Sequence, residues 1–291
     1  MPKSRKNGNA VYAADAVQKG DRKRKIASGA GVLAIGSVIA KMLGALYRIP
    51  LTNILGAQGM GMYQLVFPVY ALFMVLSTAG IPTALSRIVA EKRAIGQSSK
   101  KYFAAAMLAL AVLGVISSVL TFALAKVFAV WQGNTDTYYG FLVISPAIFL
   151  VGIISGFRGF FQGEMYMLPT ALSNVIEQVV KLALGITLSY LLIDKGLIWA
   201  VCGALLGVVC SELVTLVYMV TTYFVRAAKA RKNGVQEIRE RMTKQETRSM
   251  AAMAFPIAIV AILMPLSNFF DSMIIVNMLR LHGENGEVAT A

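Results

Sequence analysis

Lys41 and Arg48 stand seven residues apart inside a long apolar stretch of the chain. On a helix that step is two turns, so both cations lie on one face. Two like charges on one face repel, and folding alone would not select them. An anionic ligand held in a central cavity accounts for both. The alternative is that they snorkel to opposite leaflets of a membrane. Arg48 lies near the end of the stretch and could do so easily. Lys41 is deeper, in Ala40-Lys41-Met42-Leu43-Gly44, and is harder to dismiss.

Other polar residues also interrupt apolar stretches and require a reason, because charges in a bilayer usually face a cavity or a partner. Glu177 and Lys181 are four apart and can pair on one helix; a self-neutralised pair facing the bundle interior is the plainer reading, and a part in gating or coupling is the other. Asp271 and Asn268 give a polar face to the last apolar stretch. Asp271 could meet Lys41 or Arg48 across a cavity, bind a coupling cation, or simply be an exposed helix-end acid. Glu212 reads equally as a hydrogen-bonded buried acid or as a functional one. Arg87 closes the second stretch, where a lipid headgroup or substrate contact fits. Gly80 and Pro82, and further on Pro256 and Pro265, interrupt helical backbone and are hinge candidates. Cys202 and Cys210, eight residues apart on one helix, are about 12 Å apart and too distant for a disulfide. With His282 the single histidine, neither a metal site nor a Ser-His-Asp triad is supported. The glycine-rich run 56–61 has no lysine and no preceding strand, so it is a turn and not a nucleotide loop.

The elements that carry these residues follow from composition. The 291 residues are 57% hydrophobic and only 14% charged, where soluble domains are nearer a quarter charged. Seven apolar stretches, approximately 26–47, 62–86, 103–129, 139–157, 169–193, 197–225 and 250–279, are each long enough to cross a hydrocarbon core as a helix. Barrel strands would be half that length and alternate. The expected class is therefore all-α, a polytopic membrane protein of about seven spans. The first stretch is too long for a signal-peptide core and should remain as a span. The net charge of +14 does not point to nucleic acid, because the bases sit in loops between apolar stretches. Of the 28 lysines and arginines, 22 fall on one side, with Arg158 counted in the loop after the fourth stretch. By the positive-inside rule the N-terminus is cytoplasmic, and the end of this seven-span chain is outside. The expected organisation is a polar, disordered basic tail (1–25), a six-helix lobe (26–225), a cytoplasmic linker with an interfacial helix (226–249), the first helix of a second lobe (250–279) and an outer loop (280–291).

The stretch Lys41-Met42-Leu43-Gly44, then Tyr47-Arg48-Ile49-Pro50-Leu51 and Leu55-Gly56-Ala57-Gln58-Gly59-Met60-Gly61-Met62-Tyr63, resembles the start of the stage V sporulation protein B-like polysaccharide transporters. So does 77–87, Ser-Thr-Ala-Gly-Ile-Pro-Thr-Ala-Leu-Ser-Arg. These belong to the multidrug/oligosaccharidyl-lipid/polysaccharide exporter superfamily, which includes lipid II flippases. The resemblance implies two six-helix bundles about a V-shaped cavity, alternating access, and cations on the first helix that engage a lipid-linked diphosphate. Lys41 stands where those flippases carry arginine, and a lysine does not give bidentate recognition. The family continues through at least five more helices, so this chain is expected to be one lobe plus the first helix of its twin.

The resemblance implies a flippase for a lipid-linked oligosaccharide or cell-wall precursor, not an enzyme, with the lipid-linked saccharide and membrane lipids as partners. No cofactor is expected beyond Na⁺ or H⁺ coupling. A cation-coupled multidrug exporter needs acids in the cavity, and here the cavity candidates are mostly cations. A non-transporting scaffold in cell-wall or spore assembly is the third reading, and it predicts that the intramembrane charges tolerate replacement.

Overall fold

The computed structural model describes residues 4–78, 80–232 and 244–281. Among these there is no strand. The elements are α1 (Ser4–Thr78), α2 (Ile81–Ala94), α3 (Lys100–Ala123), α4 (Ala125–Trp131), α5 (Thr137–Gly163), α6 (Leu168–Leu192), a 3₁₀ turn (Ile193–Lys195), α7 (Leu197–Lys232) and α8 (Lys244–Leu281). Six helical stretches are long and apolar enough to cross a bilayer. Helices suit that environment because they satisfy every backbone polar group internally.

The first of these stretches, Gly29–Ala94, has 66 residues, about three times what one crossing needs. It folds back at Gly56. The Tyr47 and Tyr63 rings lie 6.4 Å apart, whereas a straight helix would separate those residues by about 24 Å. Gly56 has φ 64° and ψ −173°, a conformation essentially confined to glycine. α1 is thus two antiparallel arms, and the turn expected over 56–61 shrinks to one residue. The second arm ends before Gly80, which has φ 70° and caps α2. Pro82 follows in the first turn of α2, where its missing N–H costs nothing. The single span expected over 62–86 is therefore two helices.

Three other expectations are corrected. The stretch 103–129 divides at Leu124, and the short α4 turns so that Phe128 packs against Phe73, Phe141 and Phe269. The basic tail, read as disordered, continues α1 as helix from Ser4; it contains no proline beyond Pro2. Arg158, counted in a loop, lies inside α5, which runs to Gly163. In the linker, α7 reaches Lys232 and α8 begins at Lys244. Of the linker expected over 226–249 with its interfacial helix, residues 233–243 lie outside the described residues, as do 282–291 of the outer loop expected over 280–291.

Small residues set the helix spacing, as is usual where packing and not water drives association. A β-carbon on Gly207 of α7 would come within 2.3 Å of the Gly185 backbone of α6, and one on Gly36 of α1 within 2.8 Å of Ala171. The buried residues form two clusters. One, toward the Gly56 turn, includes Leu51, Val66, Phe141, Leu205 and Phe269. The other, toward the basic end, includes Leu85, Phe103, Phe160, Met250 and Ala254. α8 contributes to both.

Candidate functional site

A cavity of about 440 Å³ lies between the two arms of α1, α6 and α8. The Gly56 turn brings it into being. The first arm presents Gly44, Tyr47 and Arg48 to it, and the returning arm presents Tyr63, Gln64 and Phe67. α6 supplies Lys181 and α8 supplies Asn268. α6 approaches closely because Gly44 and Gly185 carry no side chain: a β-carbon on Gly185 would sit 2.7 Å from the Tyr47 hydroxyl oxygen. Lys181 Nζ stands 6.0 Å from the centre of the Tyr47 ring, a cation–π distance that fixes the ammonium at the wall.

No carboxylate lines this space, while two cations and two side-chain amides do. Arg48 makes no ion pair among the described residues. Such a cavity attracts an anion and offers it N–H donors; the guanidinium adds a planar fork suited to phosphate oxygens.

The sequence-derived candidates divide sharply. Arg48, Lys181 and Asn268 meet at the cavity. Lys41 does not line it; it is exposed two turns before Arg48 on the same arm. Asp271 is exposed, with Ser267 Oγ 3.5 Å from its Oδ2, and it pairs with neither Lys41 nor Arg48. Arg87 is away from the cavity: its Nε donates to Glu91 Oε1 at 3.1 Å, and both side chains are well exposed. Gly80 sits between the second arm and α2. α8 runs as one helix through both Pro256 and Pro265.

The pairing expected of Glu177 and Lys181 is corrected. Glu177 Oε2 accepts from Arg158 Nη2 at 2.9 Å, while Arg158 Nε donates to Ser173 Oγ at 3.0 Å. That bidentate clamp joins α5 to α6 and frees Lys181 for the cavity. Sequence reading missed it because Arg158 ended an apolar run, yet Gly159-Phe160-Phe161 continues the apolar character beyond it. Glu212 of α7 is buried, within electrostatic reach of Glu177, Arg158 and Lys181. It belongs to this interior group and not to the cavity wall.

A profile of known sequences, described as Polysaccharide biosynthesis protein, matches residues 26–286. The chain belongs to that family. Within the Polysaccharide biosynthesis protein family it is 30% identical to stage V sporulation protein B of Bacillus subtilis (strain 168) over 274 residues, 92% of this chain and 52% of that protein. It is 32% identical to the lipid II flippase MurJ of the same organism over 212 residues, 67% of this chain and 39% of the relative. The chain spans about half the length of the curated relatives it matches. Its fold is similar to that of a multidrug resistance MATE family transporter of the MOP superfamily solved in an outward-facing conformation, with TM-score 0.65 and 17% identity, covering 89% of this chain and 58% of the other. A MOP superfamily transporter from Pyrococcus furiosus superposes with TM-score 0.62 and 18% identity over 89% of this chain and 57% of its own. The chain is accordingly a multi-pass membrane protein with a MATE-like helical lobe.

Proposed function

We propose that this chain forms the substrate-facing lobe of a transporter that moves a lipid-linked saccharide across the cytoplasmic membrane by alternating access. The observation that carries the reading is the cavity wall: Arg48 and Lys181 with Asn268 and Gln64, and no carboxylate. A lipid-linked precursor bears its negative charge at the phosphate between carrier and sugar. Arg48 and Lys181 hold that charge, the amides contact the sugar, and the carrier tail stays in the bilayer. Lys41, exposed on the same arm toward the basic end, meets the anion first and passes it to Arg48. No bond is made or broken, so the work is done by exchanging which side the cavity faces.

The topology supports the direction. With the basic end of the lobe inside, the N-terminus is cytoplasmic and the Gly56 turn is outside. The two named relatives, a sporulation protein and a lipid II flippase, support a cell-envelope precursor as cargo. Any coupling by Na⁺ or H⁺ falls to groups off the cavity wall, Asp271 among them. Gly80 and Pro82 divide the inner half of the lobe, and Pro256 and Pro265 each leave a carbonyl of α8 without its helical donor, so these are the places where α8 bends against the lobe.

The test is translocation of a lipid-linked oligosaccharide precursor, measured as its exposure in the outer leaflet. Arg48→Ala and Lys181→Ala in the full-length protein are expected to lower translocation by about tenfold each, the value of one charge-assisted contact. Arg48→Lys should retain part of the activity, since a point charge remains but the fork is lost. Unchanged translocation in both alanine variants would remove the site; a fall in drug efflux in its place would make the protein a drug exporter.

A further inference from the structure

The cavity lies at one end of the contact between α8 and the lobe; a seam of different character closes the other. Glu246, in the first turn of α8, accepts from Lys101 Nζ at 3.0 Å and from the Tyr102 hydroxyl. Both donors stand in the first turn of α3. The Lys101 and Glu246 side chains are 18% and 26% exposed, so the pair is only partly wet. One turn along α8, Met250 is buried, and one turn further, Ala254. Gly80 meets this point directly. A β-carbon on Gly80 would lie 2.6 Å from the Ala254 carbonyl oxygen and 3.1 Å from the Ala258 nitrogen, so only a residue without a side chain lets α8 lie flat there.

This seam is thin. Phe255, Val260, Leu263 and Met264 of the same helix are exposed, so α8 touches the lobe along a narrow stripe. A notch without a side chain interlocks with nothing, and surfaces meeting there part without unthreading. The pair is about as buried as Arg158 with Glu177, but it stands at the end of a helix where water can replace either partner, so it can bias a closed state and still release. From Glu246 to Asn268 is 22 residues, about 33 Å of helix, so the pair and the cavity work at opposite ends of one lever.

We infer that Glu246, held by Lys101 and Tyr102 and seated by the Gly80 notch, is the latch that keeps the basic end of the transport pathway shut while the cavity is loaded or emptied from the other side. Its importance for transport rests on the function proposed above, but its closure can be read without transport.

The experiment uses the full-length protein with Cys202→Ala and Cys210→Ala, and a reporter thiol placed by Ala254→Cys. A membrane-impermeant maleimide is applied to the basic end in inverted vesicles, and the rate of labelling is followed. Glu246→Lys sets two cations against each other and is expected to raise the labelling rate about tenfold, the equivalent of losing one charge-assisted contact. The exchange Lys101→Glu with Glu246→Lys restores the pair, and its α8 ammonium can still donate to the Tyr102 hydroxyl, so labelling should return close to the starting rate. Equal labelling with and without Glu246→Lys overturns the latch. So does a rise that the exchange fails to reverse, because the damage then comes from lost packing and not from the pair. If labelling behaves as expected while translocation is untouched by Arg48→Ala, the latch stands and the cargo assignment falls.

Discussion

Two groups of charges sit within the apolar helices of this lobe, and they are built on opposite plans. Arg158 and Glu177 are about one-fifth exposed, closed on each other across two helices, with Ser173 taking the second guanidinium donor. Arg48 and Lys181 face a shared space with no carboxylate between them. The first group has spent its charge on the architecture. The second sets its charge on a wall that carries no carboxylate, which costs folding something and is retained for a guest. The difference separates residues that hold the lobe together from residues that act, although all four look alike as charges within apolar sequence.

Substitutions can break this contrast. The largest effect on stability is expected from Arg158→Ala, which strands Glu177 in the interior. Thermal unfolding in detergent should show a loss of about 3 kcal/mol, the low end for a broken buried pair. Adding Glu177→Ala should recover most of it, which a purely functional role for Arg158 would not predict. Lys181→Met comes next. It removes the ammonium from above Tyr47, a contact worth about 0.5–2 kcal/mol, but also relieves its desolvation, so stability should move by less than about 1 kcal/mol while translocation falls. The smallest change in stability belongs to the exposed arginines. Arg87→Ala loses only a solvent-exposed pair with Glu91, about 0–1 kcal/mol, and should leave translocation intact. Arg48→Ala should be as quiet in unfolding and severe in translocation. If Arg48→Ala unfolds the protein as Arg158→Ala does, the contrast between the two groups is lost.

Much of the fold was legible in sequence, because a bilayer imposes length and apolarity on each crossing and both are counted easily. All seven apolar stretches fall in helices, gathered into six candidate spans among the described residues, and the first two carried the family resemblance. What was not legible depends on how helices end and where they meet. Charge at Arg158 looked like the end of a helix, since hydropathy cannot tell a charge leaving the membrane from one turning toward a partner on another helix. The Glu177–Lys181 spacing suggested a local pair, and a partner nineteen residues from Glu177 in sequence took the acid instead. Sequence favours Lys41 for the cavity because depth along a helix can be read from it, while the direction a helix faces depends on its neighbours. The two glycines at the breaks were visible as residues; that Gly56 alone would make the whole turn, and that Gly80 would receive α8, needed the packed structure.

The Gly56 turn also bears on how the chain is made. Only that residue departs from helical geometry between the two arms, so the connection leaves almost nothing to be carried across the bilayer. A hairpin so closely tied enters the membrane as one unit, and neither arm can take up an orientation independent of the other. The cations before the first arm and those around α2 flank the same hairpin, and by the positive-inside rule they are expected to favour the same side. A single decision at insertion, made once both arms and α2 have emerged, then sets the direction in which every later helix is threaded.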